Sequence, residues 1–202
     1  MLVPEDSRIE SLLNLDQSDL RSLLPRSPVH DGEDIVLFDY HNRIVRLIVQ
    51  TLKYKNNLQI KKRVASYLKE EIVDISSDIV LFSGQPPLVV PMPMSKTERK
   101  EKGFNQCEEL AKEIKIQSDG EILICCNVLV KIRETKRQTE LGRAERLINV
   151  DKSMDVPDNS KIKGRTIIVL DDVYTTRATF SEARRALLSA GAKRVIGLFI
   201  AH

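Results

Sequence analysis

Apolar side chains return every four residues at Ile44, Ile48 and Leu52, and again at Val64, Leu68 and Ile72. That spacing keeps one face of a 3.6-residue turn apolar, so both segments predict amphipathic helices. The KYKNN stretch between them (53–57) has turn chemistry. Farther along, LVVPMPMS (88–95) starts as an apolar run and then meets two prolines. This predicts a buried strand whose last residues leave the hydrogen-bond ladder. GFNQCEELAKEI places Phe104, Cys107, Ala111 and Ile114 on one helical face, and VLVKI (128–132) is strand-like. TIIVL (166–170) is almost wholly apolar and rich in β-branched residues, as in a parallel strand buried on both faces. Phe180, Ala183, Leu187 and Ala190 mark the buried stripe of a helix that Gly191 stops. RVIGLFI (194–200) closes the chain as a strand. Alternating strands and helices predict an α/β fold, a parallel sheet with helices on both faces.

Two segments fall outside this rhythm. Residues 1–35 form a variable N-terminal segment in which IESLLNLDQSDLRSLLP has room for one or two short helices before Pro25 and Pro28 break the pattern. VHDGED (29–34) then reads as a polar loop, and the main domain runs over 36–202. RETKRQTELGRAERLIN (133–149) is long and polar, which predicts a mobile loop with some helical content.

Composition narrows the class. The 202 residues are 42% hydrophobic and 30% charged, an ordinary globular balance. Apolar runs stop at about five to seven residues, far below the ~20 that span a bilayer. The N-terminus shows no basic start followed by an apolar block, so the cytoplasm is the expected location. A net charge of +3 is too weak by itself to argue for nucleic acid. Cys107, Cys125 and Cys126 form no CxxC pair, and His30, His41 and His202 are scattered, so a protein-held zinc site is not expected.

The candidate chemistry lies in VLDDVYTTRAT (169–179). Asp171 and Asp172 stand where the central strand ends, and ligand sites in open α/β sheets lie at such carboxyl ends. The turn that follows delivers Thr175, Thr176 and Thr179 to the start of a helix. Thr179 and Glu182 have the T-x-x-E spacing of a capping box, which places that start near Thr179, after an exposed turn at 171–178. Free N–H groups at a helix N-terminus, with threonine hydroxyls, make an anion cradle suited to a phosphate. The two carboxylates would repel that phosphate, but they suit hydroxyls such as a ribose diol, or a hydrated magnesium ion. An ordinary capping turn, a nucleotidase-type acid pair and a Walker B strand end are alternative readings. Neither a GxxxxGK[ST] loop nor a GxGxxG run is present to support a nucleotide-binding loop.

The LDDVYTTRAT segment resembles the phosphoribosyl pyrophosphate (PRPP) motif of type I phosphoribosyltransferases. Four further segments resemble the ComF, competence-associated, branch of that superfamily. These are LKYKNN (52–57), VPMPMSKTERKEKGFNQ (90–106), the spaced Arg133, Thr135, Gln138, Arg146 and Asn149, and the ending AGAKRVIGLFIAH. The resemblance covers roughly residues 36–202. It implies a type I phosphoribosyltransferase fold with a mainly parallel five-stranded sheet. Asp171 and Asp172 would be the catalytic acids, holding the ribose hydroxyls and, indirectly, Mg2+. Val173, Tyr174, Thr175, Thr176, Arg177, Ala178 and Thr179 would bind PRPP around its 5-phosphate. Pro93, Met94, Ser95 and Lys96 would form a pyrophosphate loop. Arg133, Gln138, Arg143 and Arg146 would belong to a flexible loop closing over the leaving group.

Three departures qualify what this implies. Arg177 stands where the motif has a glycine, and its side chain could fold over the cradle or reach the phosphate as an extra cation. Lys102 replaces an arginine conservatively. The first 35 residues hold no cysteine, so the zinc module that often opens ComF proteins is not expected. The implied function is therefore phosphoribosyltransferase-like: binding PRPP or ribose 5-phosphate with magnesium pyrophosphate, and transferring phosphoribosyl to an unidentified acceptor. The alternative is a non-catalytic competence protein that binds single-stranded DNA or a helicase partner. An aromatic content of 4% argues against a long stacking surface. An oligomer is compatible with either reading.

Overall fold

The computed structural model describes residues 24, 29–134, 150–174 and 177–202. In chain order the elements are β1 (Val29–Asp31), β2 (Asp34–Phe38), α1 (Arg43–Tyr54), α2 (Leu58–Ser83), β3 (Leu88–Pro91), α3 (Lys96–Lys102) and α4 (Gln106–Gln117). β4 (Val130–Lys131), β5 (Met154–Asp155), β6 (Thr166–Val173), α5 (Ala178–Ser189) and β7 (Arg194–Ala201) complete the fold. The main sheet has the order β1-β2-β7-β6-β3. Its β2–β7, β7–β6 and β6–β3 pairs are parallel, and only β1 runs antiparallel to its neighbour. This is the α/β sheet that the pattern predicts, with the five, mainly parallel strands that the resemblance implies.

The sheet is buried on both faces because its strands alternate between two cores. Ile168 and Leu170 of β6 join Val89, Leu198 and Ile200 in a cluster with the apolar stripes of α1, α2 and α4. Ile167 and Val169 point the other way, to Val90, Phe199 and the Phe180–Ala183–Leu187 stripe of α5. Each helix start has a local cause. The Asn42 and Asn57 side chains accept from the amides of Ile44 and Ile60 at the starts of α1 and α2. Ser95 and Glu98 form a reciprocal capping box at the start of α3.

Several expectations are corrected. VHDGED is not a loop: Asp31 pairs with Asp34, and Gly32-Glu33, with Gly32 at φ 65°, turns β1 into β2 as a two-residue hairpin with glycine at its first position. Val29–Asp31 therefore belong to the main sheet although they fall within the 1–35 segment. Phe104 precedes α4 rather than lying on it, and Leu110 completes the buried face instead. The acid pair is not in an exposed turn. β6 extends through Asp171 and Asp172 to Val173, because Asp171 and Val173, on either side of Asp172, pair with Phe199 and Ala201 of β7. The capping box at Thr179 does not form. α5 starts one residue earlier, with Arg177 at its N-cap and no side-chain cap bond. Glu182 instead accepts from the Met154 amide at 3.1 Å and pairs with Arg185 at 2.7 Å.

Candidate functional site

β6 is an inner strand, between β7 and β3, so its carboxyl end opens at the middle of the sheet's edge. A cleft of about 510 Å³ lies there. Asp171, Asp172, Val173 and Thr179 form one wall, and Met92, Pro93 and Met94 after β3 form another. The opposite side comes from α1, α3 and the start of α4, through Lys53, Lys102 and Gln106. The two prolines explain the β3 wall. The Met92 amide after Pro91 still donates to the Leu170 carbonyl at 2.8 Å, and Pro93, with no N–H, then takes the chain out of the ladder beside the end of β6.

Asp172 is buried and held on both carboxylate oxygens. Gln106 Nε2 donates to Oδ2 at 2.6 Å, and Lys53 Nζ lies 3.2 Å from Oδ1. The alternation that sends Ile168 and Leu170 toward α1 and α4 carries Asp172 to the same side. Asp171 Oδ1 accepts from the Asp172 amide at 2.8 Å and from the Cys107 thiol at 3.6 Å. Burial, followed by the neighbouring Asp172 charge, pushes the Asp171 carboxyl up to about 7. Burial works against the Lys53 charge, but Asp172 and Asp171 outweigh it and hold this ammonium above the ordinary lysine range. Burial, with both aspartates, raises the Cys107 thiol well above its usual value, so it stays protonated as a weak donor. Gln106 Oε1 is buried without a hydrogen-bond partner among the described residues.

Arg177 has φ 61° and ψ −14°, the left-handed form that a glycine would adopt without strain. Its guanidinium lies 5.4 Å above the Tyr174 ring, and Tyr174 packs in turn on Phe199 at 4.4 Å. Thr175 and Thr176 lie outside the described residues. So do Gln138, Arg143 and Arg146 of the expected closing loop, with Thr135 and Asn149. Arg133 is described, and its guanidinium donates to the Asp151 carbonyl at 2.5 Å. Lys131, two residues before it, pairs with Glu98 at 3.5 Å in the cleft lining. Burial tends to raise the Glu98 carboxyl, but the Ser95 amide and Lys131 hold it below the ordinary range.

The structure thus brings Asp171, Asp172, Val173, Thr179, Pro93 and Met94 together. Ser95 and Lys96 do not line the cleft. Ser95 is buried and committed to capping α3, and Lys96 is exposed on that helix. Sequence reasoning missed Lys53, Gln106 and Cys107 as partners of the acids. Lys53 lies in LKYKNN and Gln106 in GFNQ, both polar positions of motifs with no core role. That was the available signal, but nothing in the spacing tied them to residues far along the chain. Asp171, Asp172 and Cys107 each offer an atom within 4.8 Å of the others. Hard carboxylate oxygens suit magnesium, but a protonated thiol does not, and three of the four oxygens already accept from Lys53, Gln106, Cys107 or the backbone. The donor set does not fit a magnesium ion bound directly by the acid pair.

No family model matches the chain. It is 34% identical over 112 residues to competence protein ComFC of Bacillus subtilis (strain 168), covering 55% of this chain and 42% of that one. It is 21% identical over 164 residues to competence protein F of Haemophilus influenzae, covering 81% and 70%. The chain is a homologue of the ComF competence proteins. The DNA utilization protein YhgH of Escherichia coli (strain K12) is another relative, 26% identical over 167 residues, with 80% and 68% covered. The alignment spans less than half the length of the B. subtilis ComFC protein. Among solved structures, the L. donovani hypoxanthine-guanine phosphoribosyl transferase aligns over 69% of this chain and 71% of its own, at 14% identity and a TM-score of 0.43. Among the described residues, no helix is long and apolar enough to cross a membrane.

Proposed function

We propose that this ComF homologue binds the 5-phosphoribosyl group of PRPP or of a ribose 5-phosphate in the cleft at the end of β6. One observation carries the reading: four residues beyond an inner strand that carries two acids beside its last residue, the α5 N-terminus opens with a left-handed residue at Arg177. The turn therefore keeps the backbone form that a glycine serves in the PRPP motif, although the residue has changed. In this reading the 5-phosphate sits on the turn from Val173 to Thr179, against the first amides of α5. Asp171 accepts a ribose hydroxyl. Asp172 is too tightly held to meet ligand and acts by positioning Lys53 and Gln106.

Transfer to an acceptor would need no covalent intermediate on the protein. The chain's contribution would be to hold the ribose, keep water out and leave C1 open to the cleft. Any magnesium ion would arrive bound to pyrophosphate, as part of the ligand. Isothermal titration with ribose 5-phosphate tests binding, and 31P NMR of PRPP mixtures tests pyrophosphate release. Saturable binding that Asp171→Ala abolishes is the expected result. Heats indistinguishable from dilution for both ligands would remove the reading.

The names of the relatives favour a second reading. Proteins called competence and DNA utilization proteins align over much of this chain, so contact with single-stranded DNA is a non-enzymatic alternative. Anisotropy titration with an oligonucleotide at two salt concentrations separates the two, since phosphate contacts weaken steeply with salt.

A further inference from the structure

The acid pair carries its own cation. Lys53 sits in the last turn of α1, where a positive side chain is favoured by the helix dipole, and its ammonium faces Asp172 Oδ1 at 3.2 Å. Gln106 closes the other Asp172 oxygen at 2.6 Å. Asp171 gives Oδ1 to the Asp172 amide and the Cys107 thiol. A divalent ion held by both acids would have to displace Lys53 or Gln106 from Asp172. It would also lie within a few ångströms of an ammonium, a repulsion water screens poorly in a half-buried cleft. With Lys53 in place the acid pair has a formal charge of −1, not −2.

We propose that Lys53 is the resident cation of the acid pair. It occupies the place where Asp171 and Asp172 would hold a divalent metal, so the cleft takes its phosphoribosyl ligand without a protein-bound metal ion. The ligand-binding half of this proposal rests on the phosphoribosyl reading; the exclusion of metal does not. Asp171, through its remaining oxygen, takes a ribose hydroxyl, and Lys53 supplies the positive charge beside it. The motif LKYKNN gains a role from this: its first lysine, Lys53, balances acids more than a hundred residues away in the chain.

Mn2+ alone, followed by electron paramagnetic resonance, tests the metal half with the full chain. Lys53→Met keeps the aliphatic stem and removes the charge. It should gain a saturable Mn2+ site at least tenfold tighter than wild type, and adding Asp172→Asn should abolish the gain. Lys53→Arg, which keeps a cation, should stay like wild type, and unchanged circular dichroism shows that each variant folds. Wild type binding Mn2+ as tightly as Lys53→Met, or no gain in a folded Lys53→Met, overturns the proposal. Ribose 5-phosphate titrations separate the two halves. Wild type should bind equally in EDTA and in magnesium, whereas Lys53→Met should lose at least tenfold in EDTA and recover with magnesium. Magnesium-dependent binding by wild type overturns the metal-free claim. Absence of binding in both buffers refutes the phosphoribosyl reading and the ligand half with it, while the Mn2+ result still decides the metal half.

Discussion

Arg177 offers a prediction whose sign depends on a single backbone angle. At φ 61° an L side chain crowds its own carbonyl, which costs about 1–2 kcal/mol. Arg177→Ala and Arg177→Gly both remove the stack on Tyr174, worth about 0.5–1 kcal/mol at an exposed site. Only glycine relieves the angle. Its extra freedom in the unfolded chain returns about 0.4–1 kcal/mol of that gain. Glycine is also the better N-cap residue, by several tenths of a kcal/mol. The glycine variant should therefore exceed the alanine variant by about 1 kcal/mol. In a domain of this size that is about 2–4 °C in Tm. The chain has no tryptophan and only four tyrosines, so urea melts followed by circular dichroism are the suitable assay. A ranking by helix-interior propensity would reverse the order by a similar amount. An alanine variant as stable as the glycine variant, or more so, would refute the strained-turn account.

Other consequences are simpler. A Cβ on Gly197 would meet ring atoms of Phe199 at 2.4 Å and Phe180 at 2.8 Å, so Gly197→Ala should cost about 1–3 kcal/mol by overpacking; a neutral urea midpoint would contradict this. Asp34 accepts from the Gly197 amide at 2.9 Å and from Arg184 while buried, so Asp34→Ala should destabilise by about 2 kcal/mol and leave a partly exposed arginine without its acid. The Asp171 carboxyl, raised to about 7 by burial and Asp172, is protonated more readily in the folded chain than in the unfolded one. Folding thus binds a proton between the two pKa values, and stability drains as pH rises from about 4 through 7. In EDTA, Asp171→Asn should gain on wild type across that window and level off above it. A constant difference between the two melts from pH 5 to 8 would contradict the shift.

Much of the architecture was legible because the sheet is buried on both faces. A strand such as 166–170, which must be apolar on both sides, announces itself, and the four-residue spacing of Val64, Leu68 and Ile72 marks the face of α2 that joins the same buried cluster. The end of β6 was not legible in the same way. Polar residues usually end a strand, yet Asp171 and Asp172 stay in the ladder because β7 runs beside them to Ala201. The spacing of Thr179 and Glu182 suggested a cap, but tertiary contacts with Met154 and Arg185 claimed the glutamate. At the site, the acids and the proline-ended β3 were visible as motifs. The partners of Asp172 were not, because a lysine on α1 and a glutamine on α4 meet it only after the sheet has formed.

The most direct test of the central claim is a crystal structure of the protein soaked with ribose 5-phosphate. The account predicts a phosphate on the turn before α5, within hydrogen-bond reach of its first amides, with a ribose hydroxyl on Asp171. Lys53 should remain on Asp172. A sugar phosphate bound elsewhere, or a cleft that stays free of it at saturating concentration, would contradict the account.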